Sequence, residues 1–217
     1  MIINEIKKLI DSDPYIDIGF SPVGYCMLPN HYKSAIIMVT RHTEIITLQN
    51  YSEDIFEKIL CETRDHSRNI LVKMKELLKN NNIAYYIPQE AQANEKDLCV
   101  PFSYKFGAVN AGMGWIGKNG VLVSRGFGPR VRIDAIITDI NIPAVEPVKG
   151  SFCDINCNKC IEVCPYGALK NNLWKYGMHR NELIDYKLCN QKRSEFISLK
   201  NRKNSCGLCI VSCPLGI

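Results

Sequence analysis

Eight of the eleven cysteines in this 217-residue chain fall in its last third, at spacings suited to metal ligation. "CNKCIEVCPYG", from Cys157, and "CGLCIVSCPLG", from Cys206, both read C-x2-C-x3-C-P and agree at Cys, Cys, Ile, Cys, Pro and Gly. In such runs the closely spaced sulfurs of one loop hold a four-iron cubane, and the cysteine before the proline ligates a second one. On that pattern Cys153, Cys157 and Cys160 take a first [4Fe-4S] cluster with Cys213. Cys189, Cys206 and Cys209 take a second with Cys164. Cys153 and Cys189 are the least regular members, because three residues separate Cys153 from Cys157 and Cys189 lies 17 positions before Cys206. Zinc also takes C-x2-C pairs and is the competing reading, but it gives no reason for the Cys-Pro ending of both repeats. Cys26, Cys61 and Cys99 are isolated and read as small buried hydrophobes.

The compartment bears on this choice. No apolar run approaches the roughly 18 residues of a membrane span. The opening "MIINEIKKLIDSD" carries scattered charges and has no signal-peptide core. A cytoplasmic location is therefore expected, where thiols stay reduced and disulfides are rare. The net charge of +5 is unevenly placed: residues 1–145 hold 16 basic and 16 acidic side chains, leaving 11 against 6 for residues 146–217. A basic domain invites a nucleic-acid reading. Two thiolate-ligated cubanes would each bring about −2, however, and offset most of that excess. A nucleic-acid-binding module is disfavoured on this ground and by the lack of interleaved basic and aromatic residues.

The elements that must carry these cysteines can be read in outline. "INEIKKLID" has a helical pattern, "YIDIGFSPV" is extended, and "SAIIMVT" is a continuous apolar run of buried-strand length. "SEDIFEKIL" and "ILVKMKELLKNN" are helical, and the polar "CETRDHSRN" between them leaves open whether they form one helix or two. "IAYYIP", "VLVS" and "RVRIDAIITDI" read as strands, and "SYKFGAVNA" as mixed and turn-like. The fold class is α+β: a mixed α/β layer domain over residues 1–145, then a ferredoxin-like double-cluster module over residues 146–217, with "NIPAVEPVKG" at the boundary.

"AGMGWIGKNG" contains Gly112-x-Gly114-x-x-Gly117, the glycine pattern of a dinucleotide-binding turn. That turn works where a strand leads into a helix. Here an irregular stretch precedes it and a strand follows, so the Rossmann reading is set aside. A tight turn and a close approach to a flat ligand both remain open for the glycines, as do core packing and cofactor contact for Trp115.

"AGMGWIGKNGVLVS", "IITDINIP" and the two cysteine motifs with an outlying Cys between them resemble the epoxyqueuosine reductases, cobalamin-dependent iron–sulfur enzymes related to the reductive dehalogenases. The resemblance covers roughly residues 97–217 and is nearest to short members of the group. It implies a base-off cobalamin between the N-terminal domain and the cluster module. Gly112, Gly114, Trp115, Gly117, Lys118 and Asn119 would lie along the corrin. Electrons from an external donor, such as a flavodoxin or ferredoxin, would pass through the clusters to cobalt and on to a small or nucleoside-like substrate. Two departures matter. The family's proton-donating aspartate stands in an Asp-Ser-Ala-Pro context, where this chain has "NEKDLCVPFSYKFG"; Asp97 falls near that position, with Tyr104 and Lys105 as alternative donors. The family's C-terminal helical-repeat segment, which grips tRNA, has no counterpart here, so tRNA is not an expected partner. An accessory electron-transfer or corrinoid-reducing protein, without its own substrate, is the alternative to an enzyme.

Overall fold

The extended and helical stretches are realised, in chain order, as α1 (Ile2–Lys8), β1 (Ile16–Pro22), β2 (Ser34–Arg41), α2 (Glu53–Asn80), β3 (Tyr85–Tyr86), α3 (Tyr104–Asn110), β4 (Gly114–Ile116), β5 (Leu122–Ser124), β6 (Val131–Thr138), α4 (Lys159–Glu162), α5 (Tyr186–Lys200) and α6 (Leu208–Val211). This computed structural model describes residues 2–24, 26–89, 100–143, 145–200 and 206–217. They form two compact units. Unit 1 comprises Met1–Arg41, Arg64–Met113 and Arg132–Val148; unit 2 comprises His42–Thr63, Gly114–Val131 and Lys149–Ile217.

Unit 1 is built on a four-stranded sheet of order β1-β2-β6-β3. β1 and β2 run antiparallel with Ile16 opposite Thr40 and Pro22 opposite Ser34, and β3 joins β6 antiparallel with Tyr85 opposite Thr138. "SAIIMVT" lacks polar alternation because both faces of β2 are covered. Ile36 and Met38 pack with Ile6 of α1 and with Ile70, Met74 and Leu78 of α2. Ile37 points the other way, against Gly107 of α3.

The sequence left α2 as one helix or two, and it is a single 28-residue helix. Its buried face runs Phe56, Ile59, Thr63, Ser67, Ile70, Met74 and Leu78, at helical spacing throughout. The two polar positions interrupt the hydrophobicity but not the burial. The Thr63 hydroxyl donates to the Ile59 carbonyl at 2.7 Å and the Ser67 hydroxyl to the Asp134 carboxylate. The turn-like reading of "SYKFGAVNA" is corrected: it is helix α3, capped by the Ser103 hydroxyl, which accepts from the Phe106 N–H. A glycine within the helix obscured the pattern. At Gly107 a side chain would run into Phe102 and Ile37, so the residue that weakens the helix lets it lie against the sheet.

In unit 2, β4 and β5 form an antiparallel hairpin with Trp115 opposite Val123. The glycine motif thus follows a helix and itself enters a strand, the reverse of a dinucleotide-binding turn. Ile46, Phe56, Ile59 and Val211 form a small core here. Among the described residues no helix is long and apolar enough to cross a membrane.

Candidate functional site

Each cysteine repeat folds into the same local device. The residue after the first cysteine of the C-x2-C pair, Asn158 or Gly207, is the N-cap of a one-turn helix, α4 or α6. Cys160 or Cys209 lies within that turn, and Cys164 or Cys213 follows its C-cap, Val163 or Ser212. The turns close alike: Ile161 N–H donates to the Asn158 carbonyl at 2.9 Å, and Ile210 N–H to the Gly207 carbonyl at 2.8 Å. Pro165 and Pro214 then prevent the helix from continuing. Gly167 and Gly216 take φ of +59° and +75°, conformations that exclude most other residues. The Pro and Gly shared by both repeats therefore serve to end a turn and fold the chain back. α4 and α6 pack against each other.

None of the eight cysteines forms a disulfide, and each is partly buried. The charges they exert on one another fall mostly within two groups, Cys153, Cys157, Cys160 and Cys213 on one side and Cys164, Cys189, Cys206 and Cys209 on the other, with Cys160 also bearing on Cys209. Burial, and then the charges of Cys213, Cys153 and Cys157, push the Cys160 thiol up to about 11. Burial pushes Cys209 up further, reinforced by Cys206, Cys189, Cys160 and Cys164. Cys213 is raised by burial and by Cys153 and Cys157, against the lowering effect of the Leu215 N–H and Arg130. Cys206 is raised by burial, with Cys164 and Glu53 adding to it and backbone N–H groups opposing it. Such crowded thiols ionise together only around a cationic centre. Four soft sulfur donors per set, with no oxygen or nitrogen ligand needed, fit a [4Fe-4S] cluster. Among the described residues, no three Cys, His, Asp or Glu side chains are drawn together tightly enough to hold a metal ion.

Several side chains hold the cysteine segments by their backbone. Lys118 donates its Nζ to the carbonyls of Ile155 (2.7 Å) and Cys157 (3.1 Å), and Asn119 donates its Nδ2 to the carbonyl of Cys209 (2.9 Å). The Tyr51 hydroxyl donates to the Cys206 carbonyl. Arg130, missed by the sequence reading, is fully buried and donates to four carbonyls: Ile46 (3.0 Å), Leu215 (2.9 Å), Val211 (2.8 Å) and Cys213 (2.9 Å). The only sequence signal for it is a basic residue opening an apolar strand.

The residues expected along a corrin are placed as follows. Lys118 and Asn119 are buried and turned onto the cysteine loops. At Gly114 a side chain would strike the backbone of Val123, and at Gly117 it would meet Asn119 and Val123, so the hairpin alone accounts for both glycines. Gly112 takes φ +70° at the turn after α3. Trp115 is 8% exposed and stands edge-on to Phe152, centroids 5.2 Å apart, and its buried indole N–H has no hydrogen-bond partner. A broad depression of about 760 Å³ is lined by Lys118, Ile155, Asn171, Lys175, Tyr176 and their neighbours. That volume lies in the range of small-molecule sites. Of the expected proton donors, Tyr104 begins α3 and donates its hydroxyl to the Pro88 carbonyl, Lys105 is exposed, and both belong to unit 1. Asp97 and Cys99 lie outside the described residues.

Residues 153–216 match the 4Fe-4S double cluster binding domain. Epoxyqueuosine reductase of Synechocystis sp. is 29% identical over 157 residues, which are 70% of this chain and 51% of that protein. The chain is thus similar in sequence to epoxyqueuosine reductase. Its fold agrees: a structure of epoxyqueuosine reductase with an epoxyqueuosine-modified tRNA-Tyr stem loop superposes with a TM-score of 0.61 at 17% identity, over 100% of this chain and 66% of that one. A reductive dehalogenase, described with a mechanism for B12-dependent dehalogenation, superposes with a TM-score of 0.66 at 15% identity, over 98% of this chain and 31% of that one. The chain thus spans about half of the curated epoxyqueuosine reductase it matches and a third of the dehalogenase. The tRNA in the first structure leaves the expectation that tRNA is no partner without support.

Proposed function

We propose that this chain is an iron–sulfur reductase that relays single electrons through two [4Fe-4S] clusters to a corrinoid, which reduces a small or nucleoside-like substrate. The observation that carries this reading is the C-x2-C-x3-C-P motif folded twice into the same one-turn device, within the span that matches a 4Fe-4S double cluster binding domain. Cys153, Cys157, Cys160 and Cys213 would hold one cluster, and Cys164, Cys189, Cys206 and Cys209 the other, with residues 146–217 supplying every sulfur. When bound, the clusters supply one-electron relay at potentials set by charge, hydrogen bonding and burial. The chain's own part is to fix the sulfurs and limit water. Lys118, Asn119, Arg130 and Tyr51 tie down the carbonyls of Cys157, Cys209, Cys213 and Cys206, so the ligands are oriented by the protein rather than by the metal alone.

The corrinoid rests on the B12-dependence of the dehalogenase neighbour and the unpartnered Trp115 N–H. The glycines and Lys118 do not add to it, since the fold already uses them. A flavodoxin or ferredoxin is the class of donor that a one-electron relay needs. For the proton, Asp97, Tyr104 and Lys105 remain the proposed donors; Tyr104 would have to release its bond to Pro88. The breadth of the depression favours a second reading, an electron-transfer or corrinoid-reducing accessory protein.

Anaerobic titration of the iron-loaded protein with cob(II)alamin, followed by EPR, separates the two. A base-off Co(II) signal that is reduced on adding a substrate-free electron donor, and reoxidised by a substrate, supports the enzyme. Intact clusters with no cobalamin response sink the corrinoid reading. Epoxyqueuosine nucleoside and a tRNA stem loop are both to be offered as substrates.

A further inference from the structure

Two cations are buried in the cysteine-bearing unit: Arg130 is 0% exposed and Lys118 2%. Among the described residues neither meets a carboxylate. Every polar partner recorded for them is a main-chain carbonyl: Ile155 and Cys157 for Lys118, and Ile46, Val211, Cys213 and Leu215 for Arg130. Carbonyl dipoles compensate a buried cation only in part, and an isolated buried charge is otherwise strongly disfavoured. An anion is missing from the account.

The carbonyls they hold show where it belongs. Both cations reach ligand residues of one set only, Cys157 and Cys213, which group with Cys153 and Cys160. The cysteine carbonyls held in the other set, those of Cys206 and Cys209, are taken by neutral donors, the Tyr51 hydroxyl and the Asn119 amide. An acidic side chain, Glu53, bears on that second set instead, adding to the rise of the Cys206 thiol. One set of four sulfurs therefore has two buried cations on its ligand carbonyls, and among the described residues no buried cation holds a ligand carbonyl of the other.

We propose that Arg130 and Lys118 are built-in counter-charges of the cluster on Cys153, Cys157, Cys160 and Cys213, making it the higher-potential member of the pair, so that an electron entering the module comes to rest there. The inference rests on the two-cluster reading. The step is a one-electron reduction without a proton: the cluster core goes from 2+ to 1+, and the cluster with its four thiolates from −2 to −3. A fixed nearby cation stabilises the −3 state more than the −2 state, and in a partly dehydrated interior the difference is weakly screened. Burial lowers the Arg130 pKa and the Cys213 charge opposes that, and a guanidinium starts far enough above neutrality to keep its charge at pH 7. Both residues act through charge and are positioning residues, not catalytic ones.

The test is an anaerobic redox titration of the iron-loaded full chain with dithionite or titanium(III) citrate, followed by EPR. The wild-type protein should show two separate one-electron waves, assigned by which of them moves in Cys213→Ser and which in Cys164→Ser; the higher should belong to Cys213. Lys118→Met should favour the oxidised form of that cluster at least tenfold, a drop of about 59 mV for a one-electron couple, while the other wave holds. Lys118→Arg should keep the wild-type value. Arg130→Met should act in the same direction and Arg130→Lys should restore it. If Arg130→Met loses iron, the Lys118 pair decides. Equal shifts in both waves, no shift in a variant that retains its iron, or a higher wave belonging to Cys164, overturn the proposal. A wild-type protein without two clusters would instead remove the reading beneath it.

Discussion

Gly207 tests how the cysteine loop is shaped. It takes φ +65° as the N-cap of α6, between Cys206 and Cys209, and a side chain there would be driven into the Phe56 ring. Gly167, in the other repeat, takes φ +59° with nothing within 4 Å of the added carbon. Gly167→Ala therefore meets only the left-handed backbone cost, about 1–2 kcal/mol. Gly207→Ala meets that cost plus overpacking of about 1–3 kcal/mol. The difference of about 1–3 kcal/mol corresponds to roughly 5- to 150-fold in the population of opened loop. The assay is the rate at which the visible iron–sulfur absorbance bleaches under an iron chelator, without oxygen and at fixed temperature. Gly207→Ala should bleach at least about fivefold faster than Gly167→Ala, on the lower bound of that range. Equal rates for the two would refute the claim that contact with Phe56 fixes the Cys206–Cys209 loop.

Three further outcomes are expected. His42 is 1% exposed, neither ring nitrogen has a partner, and burial, followed by the charge of Arg130, lowers its pKa from 6.5 to about 4. The unfolded chain thus binds a proton that the folded one refuses, so stability is full above pH 6.5 and falls by about 1.4 kcal/mol per unit towards pH 4. Between pH 6.5 and 5 the wild type should lose about 2 kcal/mol more than His42→Phe in thermal unfolding followed by circular dichroism, and parallel curves would contradict this. Ser67→Ala removes the hydroxyl that donates to buried Asp134, which keeps its bidentate pairing with Arg132 at 2.9 and 2.8 Å. A loss of about 1.5–3 kcal/mol is expected, with iron content unchanged. Tyr51→Phe frees the Cys206 carbonyl and should speed iron release severalfold while leaving the secondary structure intact, as read by chelator bleaching and circular dichroism.

What could be read in the chain beforehand divides along physical lines. The cysteine repeats were legible because their chemistry is local: Cys-Pro ends a turn, the following glycine reverses the chain, and the same device recurs 49 residues later. β2 was legible because burial on both faces leaves an unbroken apolar run. α2 was half legible, since Thr63 and Ser67 sit on its buried face and satisfy their hydroxyls there; periodicity measured by hydrophobicity misses a polar residue with a partner. α3 was hidden by Gly107, whose value lies in what it packs against. Lys118 and Asn119 were picked out as functional, but their partners are carbonyls 37 or more residues away, a tertiary fact that no spacing rule contains. Arg130 was invisible for the same reason. Its role depends on the carbonyls of a turn that lies more than 80 residues further on.

The measurement closest to the centre of this account is metal and sulfide analysis of the anaerobically purified chain, with EPR after dithionite reduction. About eight irons and eight acid-labile sulfides per chain are predicted, with the signal of two interacting reduced [4Fe-4S] clusters. Stoichiometric zinc without sulfide, or cysteines paired as disulfides, would contradict it.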